Sequence, residues 1–458
     1  MVDEKTFPSQ GEKNRISLIS KYTKLYELKQ RGVLGVNEVI ERQYKNKRDL
    51  VYIAHAVPSR ISEFYGDFVQ GDEERLSITS AGDDTKEQEF IDKVLFDNDL
   101  IEKIYDMGVE QSEYGYFILH AWVDDSKGVH IDLVPQDQYF PQADGSVIIA
   151  TYKKVTANLI DSYVCLTQHY SIEAKKVKIE RQAWKCEENG KLIESKPLSE
   201  VATLFGKTEI KDTDNLDIDE IPFVKVDNGR KERNGFGKSD YHDIFPQLAE
   251  LNERVTHTTT QLLKNLDAKM QVPKVAGITD EEGNIVKFDY LLMDSKELPD
   301  AKFITNENPL LDKNMEQIIF LLKFISWVSA VPMNEVLKSA MPERVEALKM
   351  QLFGAIRRTN TKRAKIKRGI KDVLRLSGKM VGLEFDKDPV INMSDVLPED
   401  EQAVAQTEQI KVSAGFSSRR SAMMRLEGYS LEEADAEMKK INEEEAIAGV
   451  DLDTPPTL

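Results

Sequence analysis

Between residues 238 and 270 the apolar side chains Ile244, Leu248, Leu251, Val255, Leu262, Leu266 and Met270 recur at helical spacing, with Thr258 filling the gap in the stripe. The pattern predicts a helix of about 30 residues, roughly 45 Å long, beyond the usual length in globular domains. Pro273 cannot donate the next backbone hydrogen bond and ends it. A second helix is predicted over 311–330, stopping at Pro332. Met315, Ile318, Ile319, Leu322, Ile325 and Val328 form its stripe, while Phe320, Phe324 and Trp327 fall on other faces. A helix apolar nearly all round is expected to be buried, here between subunits. In between, 274–278 and 285–293 predict a hairpin turning through 279–284, with a third strand at 301–305. The design is a long helix out, a small β module and a helix back.

Upstream the period alternates between helix and strand. Helices are predicted over 15–30, with Leu18, Tyr22, Leu25 and Leu28 in register, and over 85–107. Strands are predicted at 116–123 and 130–134, joined by a turn at 124–128, then at 147–154, 163–172, 176–184 and 191–193. Downstream, an irregular segment over 333–341 leads into a helix opening with Pro342 in its first turn. Its stripe is Val345, Leu348, Leu352, Ala355, Thr359, Ile366, Ile370 and Val373, and Gly378 and Gly382 are expected to end it. Residues 394–458 predict acidic helices with starts near Ser394, Ser417 and Ser430. The fold class is α+β.

Charge changes this picture. The 458 residues carry 62 basic and 80 acidic side chains, a net of −18. A protein that grips duplex DNA neutralises phosphates with a basic surface. This balance therefore argues against a transcription factor and fits a protein past which DNA slides without sticking. Such a length is expected to divide into roughly two to four substructures. No run reaches the roughly 18 apolar residues of a membrane helix. The N-terminus has charges where a secretory signal has its apolar core, so the chain is expected to remain in the cytoplasm in which it is made. Cys165 and Cys186 fall on neighbouring strands; a pair is geometrically open, but both are expected to be small packing residues.

Candidate chemistry is sparse. Gly235-Phe236-Gly237-Lys238-Ser239 ends like a phosphate-binding loop, but that loop needs a glycine where this chain has Glu232. A glycine turn leading into the long helix is the expected reading. None of His55, His120, His130, His169, His242 and His257 stands at metal-site spacing. His120 and His130 are placed to face each other across a hairpin, where packing is expected. No catalytic residue, cofactor or metal ligand set is expected, and no enzyme. The run from Arg357 to Lys371 carries eight basic residues and no acid. It reads as a solvated face, a DNA contact or a contact with an acidic neighbour such as the next subunit's C-terminal segment. The subunit contact is favoured, with Arg357, Arg358, Lys362 and Arg363 as candidates.

In chain order, seven stretches carry a resemblance. They are Asn234-Gly235-Phe236-Gly237-Lys238-Ser239-Asp240, Leu248-Ala249-Glu250-Leu251-Asn252, Ser329-Ala330-Val331-Pro332, Ser339-Ala340-Met341-Pro342-Glu343-Arg344, Ile391-Asn392-Met393-Ser394-Asp395, Leu397-Pro398-Glu399-Asp400-Glu401, and the run from Ala414 to Glu445. Together they resemble the phage portal family, in the form typical of siphophages of Gram-positive hosts; the ordered set, not any single motif, is specific. The resemblance implies a portal-type subunit with a mixed α/β wing over 1–237, sheet-rich in its second half. Stem helices would occupy 238–270 and 311–332, with a small β-containing clip at 271–310. A tunnel loop at 333–341 would precede a long kinked wing helix and return segment over 342–393 and a helical crown with its tail over 394–458. Such subunits form a dodecameric ring at one vertex of the capsid in the virion, assembled in the host cytoplasm. Double-stranded DNA passes through during packaging and ejection. Implied partners are terminase, major capsid and scaffold proteins, and head–tail connector or adaptor proteins, with no membrane. The resemblance puts Glu335, Lys338 and Ser339 in the tunnel loop beside DNA, and Asp280, Glu281 and Glu282 in the clip that docks terminase or adaptor. Many portals carry a Ser-Ser-Gly type turn where this chain has Ser339-Ala340-Met341-Pro342. The competing readings are another morphogenesis subunit, adaptor or scaffold, and a nucleotide-dependent packaging enzyme.

Overall fold

Ser9 opens the first helix, α1 (Gln10–Tyr26), by accepting the Glu12 amide on its hydroxyl. The computed structural model that shows this describes residues 7–31, 33–34, 52–71, 76–81, 85–124, 126, 128–157, 160–187, 190–229, 235–266, 269–273, 290–293, 302–304, 309–333, 350, 352–393, 401–426 and 434–441. The cap shifts the helix expected over 15–30 toward the N-terminus, and the left-handed Leu28 lies beyond its end. α2 (Val57–Gln70), with Pro58 in its first turn, is not predicted by the pattern. It buries Pro58, Ile61, Ser62, Tyr65, Gly66 and Val69 along one face, where the polar Ser62 and the bare Gly66 interrupt the apolar stripe.

After the short β1 (Ser77–Thr79), the helix expected over 85–107 is two, α3 (Thr85–Asp97) and α4 (Leu100–Glu113). Asp99 takes a left-handed conformation, and the Asn98 amide donates to the Val94 and Val129 carbonyls, both at 2.9 Å. That corner breaks the helix and ties it to a strand. β2 (Tyr116–Val123) and β3 (Val129–Leu133) form the predicted antiparallel pair. β4 (Tyr139–Pro141), β5 (Val147–Ala157), β6 (Ile160–Glu173), β7 (Lys176–Cys186) and β8 (Leu192–Lys196) follow as an antiparallel meander. β9 (Thr213–Leu216) also pairs with β7, and β10 (Phe223–Asp227) returns to pair with β2.

α5 (Phe245–Leu266) is shorter than the stripe suggests. Pro273 disfavours helix at the residue before it, and the chain turns into β11 (Lys269–Pro273). β11 pairs parallel with β12 (Tyr290–Met293) and antiparallel with β13 (Lys302–Ile304). The predicted strand at 274–278 and the turn at 279–284 lie outside the described residues. α6 (Pro309–Ser329) matches its prediction and ends at Ala330, whose φ is +57°. α7 (Phe353–Val381) is the described part of the next helix; its expected opening at Pro342 lies outside the described residues. Gly382 ends it, but Gly378 does not. Gly378 lies within the helix, where the missing Cβ lets the Leu383 carbonyl and the Phe385 ring approach. β14 (Val390–Asn392) then pairs with β1.

The chain divides into two units. Everything above belongs to the first, residues 1–341 and 352–394. The second, 342–351 and 395–458, contains α8 (Glu401–Ser413), α9 (Arg419–Leu426) capped by Ser418, and a helical stretch over 434–441. Arg420 joins Asp435 at 2.9 Å within it. The start expected near Ser430 lies outside the described residues.

β2 shows how alternation builds two cores. Phe117, Leu119 and Ala121 face one core with Ile91 and Val94 of α3, Ile104 and Met107 of α4, and Ile366, Ile370 and Val373 of α7. Tyr116 and Ile118 face another with Val147, Ile149, Tyr170, Val177 and Ile179 of the meander. A third core holds α1, α2, α5 and α6 together through Leu25, Ile61, Tyr65, Leu248, Leu251 and Ile325. Buried Arg15 fastens α1 to the sheets. It donates at 2.6 Å to the Tyr116 hydroxyl and to the Gln136 and Tyr139 carbonyls, and lies over the rings of Phe140 and Phe236.

Candidate functional site

The fragment that ends like a phosphate-binding loop is a backbone strap at the root of α5. Gly237 lies against Gly115, and a Cβ on either would collide with the other's carbonyl oxygen. The strap's polar groups bond to the chain itself. The Asn228 amide donates to the Gly115 carbonyl at 2.7 Å, the Gly237 amide to Asp227 Oδ1 at 3.1 Å, and the Asp240 amide to the Ser112 carbonyl at 2.9 Å. Ser239 Oγ donates to the Glu113 carbonyl at 2.6 Å and accepts from the Tyr241 amide at 3.1 Å. Lys238 pairs with Asp243, and Phe236 covers both Arg15 and Lys225. These glycines serve close packing of two backbones, not a cradle for phosphate.

Next to the strap a polar hub joins four helices. Lys362 of α7 is buried, with its ammonium 2.9 Å from Asp240 Oδ2 and 3.0 Å from Asn228 Oδ1, over the face of Tyr65. Asp240 also accepts from Ser112 Oγ at 2.8 Å and Asn228 Nδ2 at 3.1 Å, so the buried carboxylate is fully engaged. Burial lowers the Lys362 pKa, and Asp240 opposes that shift. The Tyr65 hydroxyl donates to the Ser329 carbonyl at 2.6 Å, and Arg358 donates to the Ser329 and Val328 carbonyls at 2.9 and 2.8 Å. These carbonyls are at the C-terminal end of α6, which a cation favours. One face of α7 thus holds both the start of the outgoing helix and the end of the returning one.

This placement divides the four basic candidates. Lys362 and Arg363 point into the chain's own interior, Arg363 donating to the Val69 carbonyl at 3.0 Å. Arg358 caps α6 within the same chain. Arg357 faces solvent. The candidates Glu335, Lys338 and Ser339, and Asp280, Glu281 and Glu282, lie outside the described residues. The hub itself is not foreseen from the sequence, because Asp240, Lys362, Tyr65 and Ser329 are remote along the chain.

The other polar residues read as packing. His120 stacks on Phe223 with ring centroids 4.3 Å apart, while His130 stacks on Trp122 at 4.3 Å, so the two histidines do not face each other. Cys165 and Cys186 are buried free thiols. Among the described residues, no His, Cys, Asp and Glu group is arranged to hold a metal ion, and no helix is long and apolar enough to cross a membrane.

The end of α4 carries a pH-sensitive pair. Burial pushes the Glu110 carboxyl up to about 8 and the Glu113 carboxyl up to about 7. Glu110 accepts from Gln136 Nε2 at 2.7 Å, and Glu113 Oε1 is buried with no hydrogen-bond partner among the described residues. The folded chain therefore holds protons that the unfolded chain releases above the ordinary carboxyl range. Stability is full at low pH with respect to these two groups and is lost as pH rises from about 5 to 8, by on the order of 6 kcal/mol. Urea unfolding across that range is expected to show the fall, and Glu110→Gln with Glu113→Gln to flatten it. An unchanged slope in the double variant counts against the buried carboxyls as its source.

The sequence matches the family model described as "Phage portal protein, SPP1 Gp6-like" over residues 9–449. Among solved structures, a chain of a particle described as "Virion of native gene transfer agent (GTA) particle" is similar over 81% of this chain and 89% of that one, at 10% identity and a TM-score of 0.42. No curated protein matches the chain.

Proposed function

This chain belongs to the phage portal protein family, SPP1 Gp6-like, and from that premise we propose that it is the ring-forming subunit of the channel at one capsid vertex. The family match, which runs from residue 9 to 449, is the observation that carries the reading. The helical hairpin supports it. On α6 Phe320 is 57% and Trp327 79% exposed, with Met315 and Ile319 also facing water. An apolar face of this kind on one subunit marks an interaction surface, and repetition around a closed ring would bury it.

In this reading residues 1–237 are the wing, 238–270 and 311–332 the stem, 271–310 the clip, 333–341 the tunnel loop, 342–393 the long wing helix and its return, and 394–458 the crown. DNA passes through the ring during packaging and ejection, and terminase and head–tail connector proteins dock at the clip. Asp280, Glu281 and Glu282 belong to that docking site, and Glu335, Lys338 and Ser339 to the constriction. The portal role is structural, with no reaction assigned to it.

Native mass spectrometry with negative-stain imaging tests the proposal. A dodecameric ring with a central hole is expected. A chain that stays monomeric with and without its scaffold protein, or a compact dimer that turns over ATP, overturns the reading.

A further inference from the structure

The outward side of α7 is distinct from the face that builds the hub. Arg357, Lys367, Arg368 and Lys371 fall within about a quarter of the helix circumference, since successive residues turn by about 100°. Arg357 is exposed, and the Arg368 side chain is 85% exposed, with only a 3.9 Å approach to Asp372. No ion pair engages Arg357, Lys367 or Lys371 among the described residues. Burial and the neighbouring Arg363 and Lys371 hold Lys367 below the ordinary lysine value, as expected where cations crowd without an acid between them. At the N-terminal end of this stripe the exposed Phe353 opens a groove with Ile356, Asn360 and Ala364. The surface is therefore a basic stripe with an apolar foot.

The C-terminal part of the chain has matching character. Residues 427–453 carry ten acidic side chains against only Lys439 and Lys440, interleaved with Leu431, Met438, Ile441 and Ile447. We propose that the outer stripe of α7 docks this acidic C-terminal segment of a neighbouring copy of the chain. The proposal rests on the ring reading above and names the surfaces that meet. A head-to-tail ring needs two different surfaces per subunit, each complementary to the other. The stripe and the acidic segment are such a pair, with charge fixing the register and Phe353 receiving an apolar side chain. Duplex DNA would meet the cations but offers nothing to the apolar foot.

Two full-length variants test this. The first carries Arg357→Glu, Arg368→Glu and Lys371→Glu; the second carries Glu443→Lys, Glu444→Lys and Glu445→Lys. Each is expected to keep the wild-type circular dichroism and thermal midpoint, and to lose at least about tenfold in self-association by native mass spectrometry, or about 1.4 kcal/mol. Mixed in equal amounts they regain complementary charges at every contact and are expected to assemble, alternating. Should the first variant misfold, Arg357→Gln with Arg368→Gln replaces it, with a smaller loss expected. Unchanged association of the first variant overturns the proposal. Failure of the mixture to assemble also overturns it, because the contact would then lie within one chain. Lost binding of a short duplex DNA with unchanged association assigns the stripe to DNA instead. If the wild type itself does not assemble, the ring reading fails, and the appearance or absence of a mixed dimer of the two variants still decides the stripe.

Discussion

Lys362→Ala is expected to cost about 3–5 kcal/mol of stability, because it leaves Asp240 as a buried charge without its counter-ion. The loss comes less from the removed attraction than from the stranded carboxylate, which Ser112 and Asn228 solvate only in part. One further outcome separates this account from simple loss of packing. Adding Asp240→Asn to Lys362→Met removes the stranded charge while keeping an acceptor for Ser112, and is expected to bring the loss below about 2 kcal/mol. Urea unfolding of both variants reads the difference. A loss below about 1 kcal/mol in Lys362→Ala would mean that the pair behaves as a surface ion pair and that the hub is open to water.

Gly237→Ala carries the second large effect. Its Cβ would meet the Gly115 carbonyl oxygen and approach the Asn228 nitrogen to 2.7 Å, both backbone atoms. Neither can retreat cheaply, since Asn228 and Gly115 are bonded to each other and Asp240 is bonded to Ser112. Overpacking against movable side chains costs about 1–3 kcal/mol, occasionally more, and here the obstacle is backbone, so a loss of at least about 3 kcal/mol is expected. Gly235→Ala is the internal control. Gly235 has a φ of +84° but nothing within 4 Å of a Cβ, so it should cost only the left-handed penalty of about 1–2 kcal/mol. Equal losses in the two variants would remove the distinction between strain of conformation and collision.

The two glycines also show what a sequence can and cannot say. The Gly235-Phe236-Gly237-Lys238-Ser239 fragment is visible as a turn before a long helix, and its failure as a phosphate loop follows from Glu232. Its actual task depends on Gly115, Asn228 and Asp227, which local pattern does not connect to it. The hairpin of long helices and the β2–β3 and meander strands are legible because burial on one side imposes a period. The break at Asn98 and Asp99 is not, because it answers to the Val129 carbonyl of a strand. The end of α5 is missed for a related reason: apolar spacing continues to Met270, while the proline ahead and the partners Tyr290 and Phe303 draw those residues into a sheet. The basic run on α7 is plain in the sequence, but its division into buried and exposed sides is not. Lys362 and Arg363 stand among the same charges as Arg357 and differ only in the side of the helix they occupy.

The pairing of β1 with β14 has a consequence for synthesis. Asn392 donates to Ser77 across 315 residues of chain, and the core between them draws on α3, α4 and β2 at one end and on α7 at the other. A ribosome adds about 5–20 residues each second, so the early half of this core stays exposed for tens of seconds before its late half emerges. During that interval the chain is a client for whatever host factor shields nascent apolar surface. A transcript cut short before the α7 codons yields a polypeptide that keeps both hairpin helices and the core they share with α1 and α2, but lacks Lys362 and Arg358, the two side chains that tie their roots to one another across the hub.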